Sequence, residues 1–317
     1  KFEGSGPGAL GLLQRVACNN IDRPDGSLVY TQFLNAHGGI ESDLTVCRLA
    51  GDRFRVITGT SFLSNDLEWV RSHAPADGSV EVRDVTDDFA CIGMWGPDAR
   101  DVLGQATGDD LSNDAFPYLT ARELTVAGKP AWAQRVSYIG ELGWELYLAN
   151  TDAGTVWDAL LELGQAHGIR PAGYKALDSL RLEKGYVYWS TDVTPEDNLL
   201  EAGMGFCADM AKGDFIGRDA LAKRKADGLQ SRLRPVVLEG NALPAYGAES
   251  VWHDDQIVSR LRSAGHAHTI DRSIGYCYLP LVLAKPGVEV EIELFGERVP
   301  ATVSLPIHDP KGTRLKA

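Results

Sequence analysis

The sequence contains no apolar run near the ~20 residues of a membrane span. Its five cysteines, Cys18, Cys47, Cys91, Cys207 and Cys277, are scattered without a C-x-x-C pair. That pattern reads as buried thiols in a reducing compartment, not as a disulfide framework or zinc site. Positive charge is also short. There are 31 Lys and Arg against 44 Asp and Glu, a net charge of −13, which argues against a phosphate-backbone partner. His266 and His268 have a metal-pair spacing, but no third ligand cluster stands near them, so no metal is expected. No G-x-G-x-x-G opens the chain, so it is not expected to hold a flavin or dinucleotide by itself. Neither a signal peptide nor a transit segment can be seen.

What is present is an ordinary globular composition over 317 residues, enough for two or three domains with real cores. Strand signals at 27–34, 44–49 and 54–58 are followed by a helix at 64–72 and strands at 80–84 and 89–95. Helices are expected at 6–16, with Ser5 as cap and Pro7 in the first turn, and again after the similar stretch Gly96-Pro97-Asp98-Ala99. A hairpin is expected to turn at Ala127-Gly128 and to feed a strand at Tyr138. Helices follow at 151–161, capped by Thr151 or Asp152, and at 173–181. From about 225 onward, short β-type runs separated by Gly, Pro and Asp predict an all-β barrel or sandwich. The first part reads as α+β, ferredoxin-like or related.

Two local patterns carry chemistry. From Tyr138 to Tyr147, Glu141, Gly143 and Glu145 alternate with Leu142, Trp144 and Leu146. In an extended strand one face is then core, and the other carries carboxylates around a glycine that lets something approach the backbone. Such a carboxylate can accept two parallel N–H donors; solvated glutamates on an edge strand fit the same pattern. Asp43 follows the tight turn Gly38-Gly39 and precedes the β run Leu44-Thr45-Val46-Cys47. It reads either as a turn-capping residue or as a carboxylate facing whatever the hairpin covers.

Arg135-Val136-Ser137-Tyr138-Ile139-Gly140-Glu141-Leu142-Gly143-Trp144-Glu145 resembles the R-x-x-Y-x-G-E-x-G-x-E signature of the aminomethyltransferase family. This family includes the glycine cleavage T-protein and the folate-binding C-terminal halves of dimethylglycine and sarcosine dehydrogenases and oxidases. Three further blocks match in order: 30–46, 176–185 continuing to Asp192, and Glu201-Ala202-Gly203 followed by 214–221. The wording of 31–45 and 192–197 looks more like the dehydrogenase-fused branch than the free T-protein.

The resemblance implies an α+β fold of three domains in a cloverleaf around a central folate channel, ending in a C-terminal β barrel. The corresponding segments are 1–92, 93–224 and 225–317. The first segment of the N-terminal domain looks to be missing, so the chain resembles part of a longer polypeptide. The implied activity is one-carbon transfer to tetrahydrofolate. It would form 5,10-methylenetetrahydrofolate from an imine or aminomethyl product of dimethylglycine- or sarcosine-type demethylation. The alternatives are an O- or S-demethylase of the same fold and a non-catalytic folate-binding protein. The latter type carries K-G-C-x-x-G-Q-E, whereas this chain has Lys212-Gly213-Asp214 at that position, without the cysteine. FAD is expected only on an upstream domain or a partner oxidase or dehydrogenase. Nucleic acid and membrane are not expected as partners. The implied compartment is cytoplasmic, or the mitochondrial matrix in a eukaryote.

Carried over residue by residue, the resemblance makes Asp43 the catalytic carboxylate, Glu145 the pterin ligand, and Tyr138 and Tyr30 folate contacts. Tyr30 reads equally as a strand core residue, and Glu141 as structural. Arg181 would hold a folate or substrate carboxylate bidentately, or pair with Glu183 or Glu201. Trp189 takes the place of an aromatic beside the channel. Two departures stand out: Ser190, where glycine is common, and Arg262-Ser263-Ala264-Gly265, where the family often has a threonine-serine-glycine turn.

Overall fold

The protein is described by a computed structural model covering residues 1–240 and 244–308. Chain contacts divide it into two compact units. One is residues 1–32 with 43–172, and the other is residues 33–42 with the described residues from 173 to 308. Each is described by itself.

The chain begins with β1 (Phe2–Ser5), α1 (Ala9–Val16), β2 (Leu28–Leu34), β3 (Ile40–Ala50), β4 (Arg53–Ile57), α2 (Leu63–Ser72) and β5 (Glu81–Asp84), all in the first unit except the end of β2 and the start of β3. Its first sheet has the order β2-β3-β4-β1-β5. β6 (Phe89–Trp95), α3 (Ala99–Ala106), β7 (Ala121–Val126), β8 (Lys129–Gln134), β9 (Gly143–Ala149) and α4 (Asn150–Leu163) follow. The second sheet has the order β6-β9-β8-β7. The expected division at 92/93 falls inside β6, which pairs with β9.

Alternation builds the second sheet. Ile92, Met94, Leu124, Val126, Ala131, Ala133, Trp144, Leu146 and Leu148 bury one face against Val102 and Leu103 of α3 and Val156 and Leu160 of α4. Each large side chain buried in this way is worth roughly 1.5–3 kcal/mol. Ala127 and Gly128 have φ of 51° and 75°, the left-handed pair that a two-residue hairpin needs, so that turn is as expected.

Two expected caps are not used. Ser5 ends β1, and α1 starts at Ala9 behind Gly8 with no side-chain cap. A Cβ on Gly8 would stand 2.6 Å from the Ser79 hydroxyl, so the chain enters this helix by close backbone approach. α4 begins at Asn150, also without a side-chain cap, and Asp152 pairs with Lys129 at 2.9 Å instead.

The second unit holds α5 (Tyr174–Lys184), α6 (Arg218–Asp227) and six strands. These are β10 (Ser231–Leu238), β11 (Ser250–His253), β12 (Gln256–Ala267), β13 (Arg272–Pro280), β14 (Glu289–Leu294) and β15 (Glu297–Val303). They close into a barrel in the order β10-β13-β12-β11-β14-β15. Of the two architectures expected for this segment, the barrel is therefore the one formed, and closure removes free sheet edges. Glu289-Val290-Glu291-Ile292-Glu293-Leu294 shows why. Its apolar half lies in the barrel core while its acids point outward. No helix among the described residues is long and apolar enough to cross a membrane.

Candidate functional site

In the first unit, the coreless faces of the two sheets are turned toward each other. Leu28 on β2, Cys47 on β3 and Ala121 on β7 share a buried cluster, with Trp132 of β8 and Val136 packed against it. The Arg55 guanidinium of β4 lies 4.1 Å over the Phe89 ring of β6. Period-2 alternation then puts Tyr30 and Gln32 on the same face as Leu28, and Asp43 on the same face as Cys47. On the second sheet the corresponding face carries Cys91, Gly93 and Trp95 of β6, Gln134 of β8, and Gly143, Glu145 and Tyr147 of β9. The register Cys91↔Tyr147, Gly93↔Glu145, Trp95↔Gly143 and Gln134↔Glu145 sets this row.

Asp43 is the fourth residue of β3, so the expected position just inside a strand holds. Gln32 Nε2 donates to Asp43 Oδ1 at 2.7 Å. Gln32 is fully buried and Asp43 half-buried. Loss of water pushes the Asp43 carboxyl from an ordinary 3.8 up to about 6. Hydrogen bonds from Gln32 and Tyr30 oppose that rise, and the charge of Asp66 adds to it. The structure thus brings Tyr30 and Asp43 together. A carboxyl that titrates near neutrality can take or return a proton at working pH.

Glu145 is also half-buried, and burial raises its carboxyl above the ordinary range. Tyr147, two residues along the same face, donates its hydroxyl to Glu145 Oε2 at 2.7 Å and opposes that rise. A carboxylate offers about four lone-pair sites, so the acid retains capacity for further donors. Cys91 lies across from Tyr147; its thiol is exposed by area, yet burial pushes it up to about 12. Together these values describe a recess rather than an open surface.

The expected close approach at Gly143 is real, but what approaches is the chain's own Trp95. A Cβ on Gly143 would lie 2.0 Å from the Met94 carbonyl and 2.5 Å from the Trp95 ring, and one on Gly93 would lie 2.2 Å from that ring. Trp95 Nε1 donates to the Val136 carbonyl at 2.9 Å, which fixes the indole beside Glu145's strand. Trp95, Gln32, Gln134 and Tyr147 were not singled out from the sequence. Tyr147 could have been, because i+2 spacing on a strand already puts it on the face of Glu145. Gln134 is fully buried, and neither of its amide atoms has a partner among the described residues.

The expected strand does not begin at Tyr138. Residues 135–142 are irregular, Gly140 has φ of 77°, and β9 starts at Gly143. Tyr138 and Glu141 are half-buried in this entry to the strand, so the alternation proper begins two residues after Glu141.

Arg181 and Trp189 belong to the second unit. Near the end of α5, the Arg181 guanidinium is 3% exposed. It donates to Asp178 Oδ1 at 2.7 Å, Asp192 Oδ2 at 2.6 Å, Ser263 Oγ at 2.8 Å and the Tyr186 carbonyl at 3.1 Å. The acids in its ion pairs are therefore Asp178 and Asp192. Glu183 is bonded to Thr269 and His308, and Glu201 to Asn198, Gln230 and Ser231. An irregularity in β12 between Leu261 and Ala264 falls at Ser263, which also donates its N–H to Asp192. The departure at 262–265 thereby becomes part of the buried ion pair. Trp189 Nε1 donates to the Ile40 carbonyl at 2.9 Å. Ser190 has φ of 78°, the left-handed region in which glycine is cheapest.

The fold agrees with comparisons to known proteins. Residues 1–212 match the GCVT N-terminal domain model and residues 232–308 the glycine cleavage T-protein C-terminal barrel domain model. Human mitochondrial dimethylglycine dehydrogenase is 35% identical over 100% of this chain and 37% of its own length. A 4-methylaminobutanoate oxidase (formaldehyde-forming) from Paenarthrobacter nicotinovorans is 38% identical over 100% of this chain and 38% of its own length. The chain thus spans less than two-fifths of these relatives. An aminomethyltransferase from Halothermothrix orenii is 35% identical over 90% of this chain and 79% of its own length. The crystal structure of the glycine cleavage system aminomethyltransferase T from Bartonella henselae shares the fold. Its TM-score is 0.87 at 23% identity, covering 98% of this chain and 84% of that one.

Proposed function

The chain belongs to the glycine cleavage T-protein family of aminomethyltransferases, and from that premise we propose that it transfers a one-carbon unit to tetrahydrofolate. The donor in this reading is an imine or aminomethyl intermediate of N-methyl amine oxidation, of the dimethylglycine or sarcosine kind, and the product is 5,10-methylenetetrahydrofolate. A flavin-dependent oxidase or dehydrogenase, on another part of the same polypeptide or on a partner, would supply the donor. The names and greater lengths of the dehydrogenase and oxidase relatives support that part.

One observation carries the reading: two half-buried carboxylates, Asp43 and Glu145, lie on facing sheets of one unit, each held by a neutral donor. The residues fit a reduced pterin. Glu145 is an acceptor with lone pairs that Tyr147 does not use. It would accept the pterin's paired N–H donors. Tetrahydrofolate, when bound, supplies nucleophilic nitrogens for the one-carbon unit. Asp43 would stabilise the cationic donor and accept or relay the proton that leaves, which suits a carboxyl near neutrality. Tyr30 and Tyr138 are proposed folate contacts by the same resemblance.

The test of the binding half is Glu145→Gln. The substitution puts an amide donor against ligand donors, and the expected loss is about 1.5–3 kcal/mol, the range for hydrogen bonds to charged groups. Calorimetric titration with tetrahydrofolate measures it. Unchanged affinity in a folded variant removes the pterin role from Glu145.

A further inference from the structure

We propose that Gln32 is a positioning residue for Asp43, fixing the orientation of that carboxylate and how readily it gives up its proton. The inference rests on the reading that Asp43 is the working carboxylate. Gln32 is fully buried on β2, and its Nε2 stands 2.7 Å from Asp43 Oδ1 on the neighbouring strand. Its amide is oriented from behind. The Cys18 thiol donates to Gln32 Oε1 at 3.7 Å, which leaves the nitrogen for Asp43. Cys18 is itself buried, and its N–H donates to the Gln32 carbonyl at 2.9 Å. The thiol, the amide and the acid form one chain of contacts through the first sheet, ending at the carboxylate.

An amide donor stabilises the ionised acid and not the protonated one, so Gln32 opposes the effect of burial on Asp43. Tyr30 on β2 acts in the same direction, while Asp66 on α2, held by Thr58, acts against it. The facing sheet carries Glu145, Tyr147 and Cys91, with Glu123 of β7 opposite Trp132, and Glu3 and Arg55 form an ion pair at 2.6 Å farther along the first sheet. Gln32 is the neutral, pH-independent part of this surround. It favours the ionised form of Asp43 against the effect of burial.

The experiment is a pH profile of single-turnover methylene transfer to tetrahydrofolate, with formaldehyde as donor and the uncatalysed condensation subtracted at each pH. Wild type should lose activity as pH falls through about 6. Gln32→Met keeps the volume and removes the donor, so the acid limb should move up by about one pH unit. Its rate should recover at pH 8 and above. Gln32→Leu also removes the donor without adding a titratable group, so its limb should move in the same direction. It also decides the matter if Gln32→Met does not fold. A rate lowered equally at all pH values, with the limb unmoved, overturns the inference and leaves Gln32 a packing residue. Asp43→Asn separates the two levels. If that variant transfers normally, the reading of Asp43 fails. If it is slow while the Gln32 variants keep the wild-type limb, only the positioning role fails.

Discussion

Asp43→Asn should make the protein more stable while disabling it. Burial moves the carboxyl from 3.8 to about 6, a little over two pH units. At about 1.4 kcal/mol per unit, keeping the group ionised costs the folded state about 3 kcal/mol above pH 7. The sign follows from linkage: a raised folded pKa means that protonation favours the folded state. The wild-type deficit is therefore full above pH 7, shrinks as pH falls through 6, and vanishes below the unfolded value. About 1 kcal/mol should remain at pH 4.5. Asparagine keeps the shape and still offers an oxygen to Gln32 Nε2, so the lost charge is the main change. Scanning calorimetry of both proteins at pH 8, 6 and 4.5 reads the gap. A shift of roughly 5–10 °C is expected at pH 8 for a unit of this size. Equal stability at pH 8, or a gap that does not shrink in acid, would show that Asp43 is not held dry.

Arg181→Met should destabilise the second unit by about 3–5 kcal/mol, because Asp192, 1% exposed, would be left as a buried charge without its cation; denaturant midpoints measure it. Ser190→Gly should stabilise by about 1 kcal/mol by relieving a left-handed backbone at a non-glycine residue. A melting temperature unchanged or lowered in that variant would mean that the serine side chain contributes something the glycine loses.

Where function was legible, the sequence spoke through short-range geometry. The alternation of Trp144, Leu146 and Leu148 with Glu145 and Tyr147 fixes which face of β9 is core. Gly38-Gly39 permits the turn that leads into Asp43, with Gly38 at φ of 79° and its N–H bonded to the Asn35 carbonyl. What was not legible depends on register and on where the chain bends back. Gln134 faces Glu145 only because β8 pairs with β9 in one particular register. Trp95 fills the space over Gly143 only because β6 lies on the other side of β9. The cap expectations failed for a related reason: Ser5 was drawn into β1 by pairing with Arg53 and Glu81, and Asp152 was drawn to Lys129. The Arg181 partners are Asp178, three residues back in α5, and Asp192 outside the helix, in place of the expected Glu183 or Glu201.

The central claim is that Asp43 does chemistry at a folate held mainly by other groups. Single-turnover formation of 5,10-methylenetetrahydrofolate by wild type and Asp43→Asn at pH 8, with the spontaneous reaction subtracted, tests it directly. The account predicts a fall of roughly 10²–10⁴-fold, the usual contribution of a positioned acid or base, with tetrahydrofolate affinity nearly unchanged. Transfer at the wild-type rate in a folded Asp43→Asn protein would contradict it and leave folate binding without catalysis as the better account.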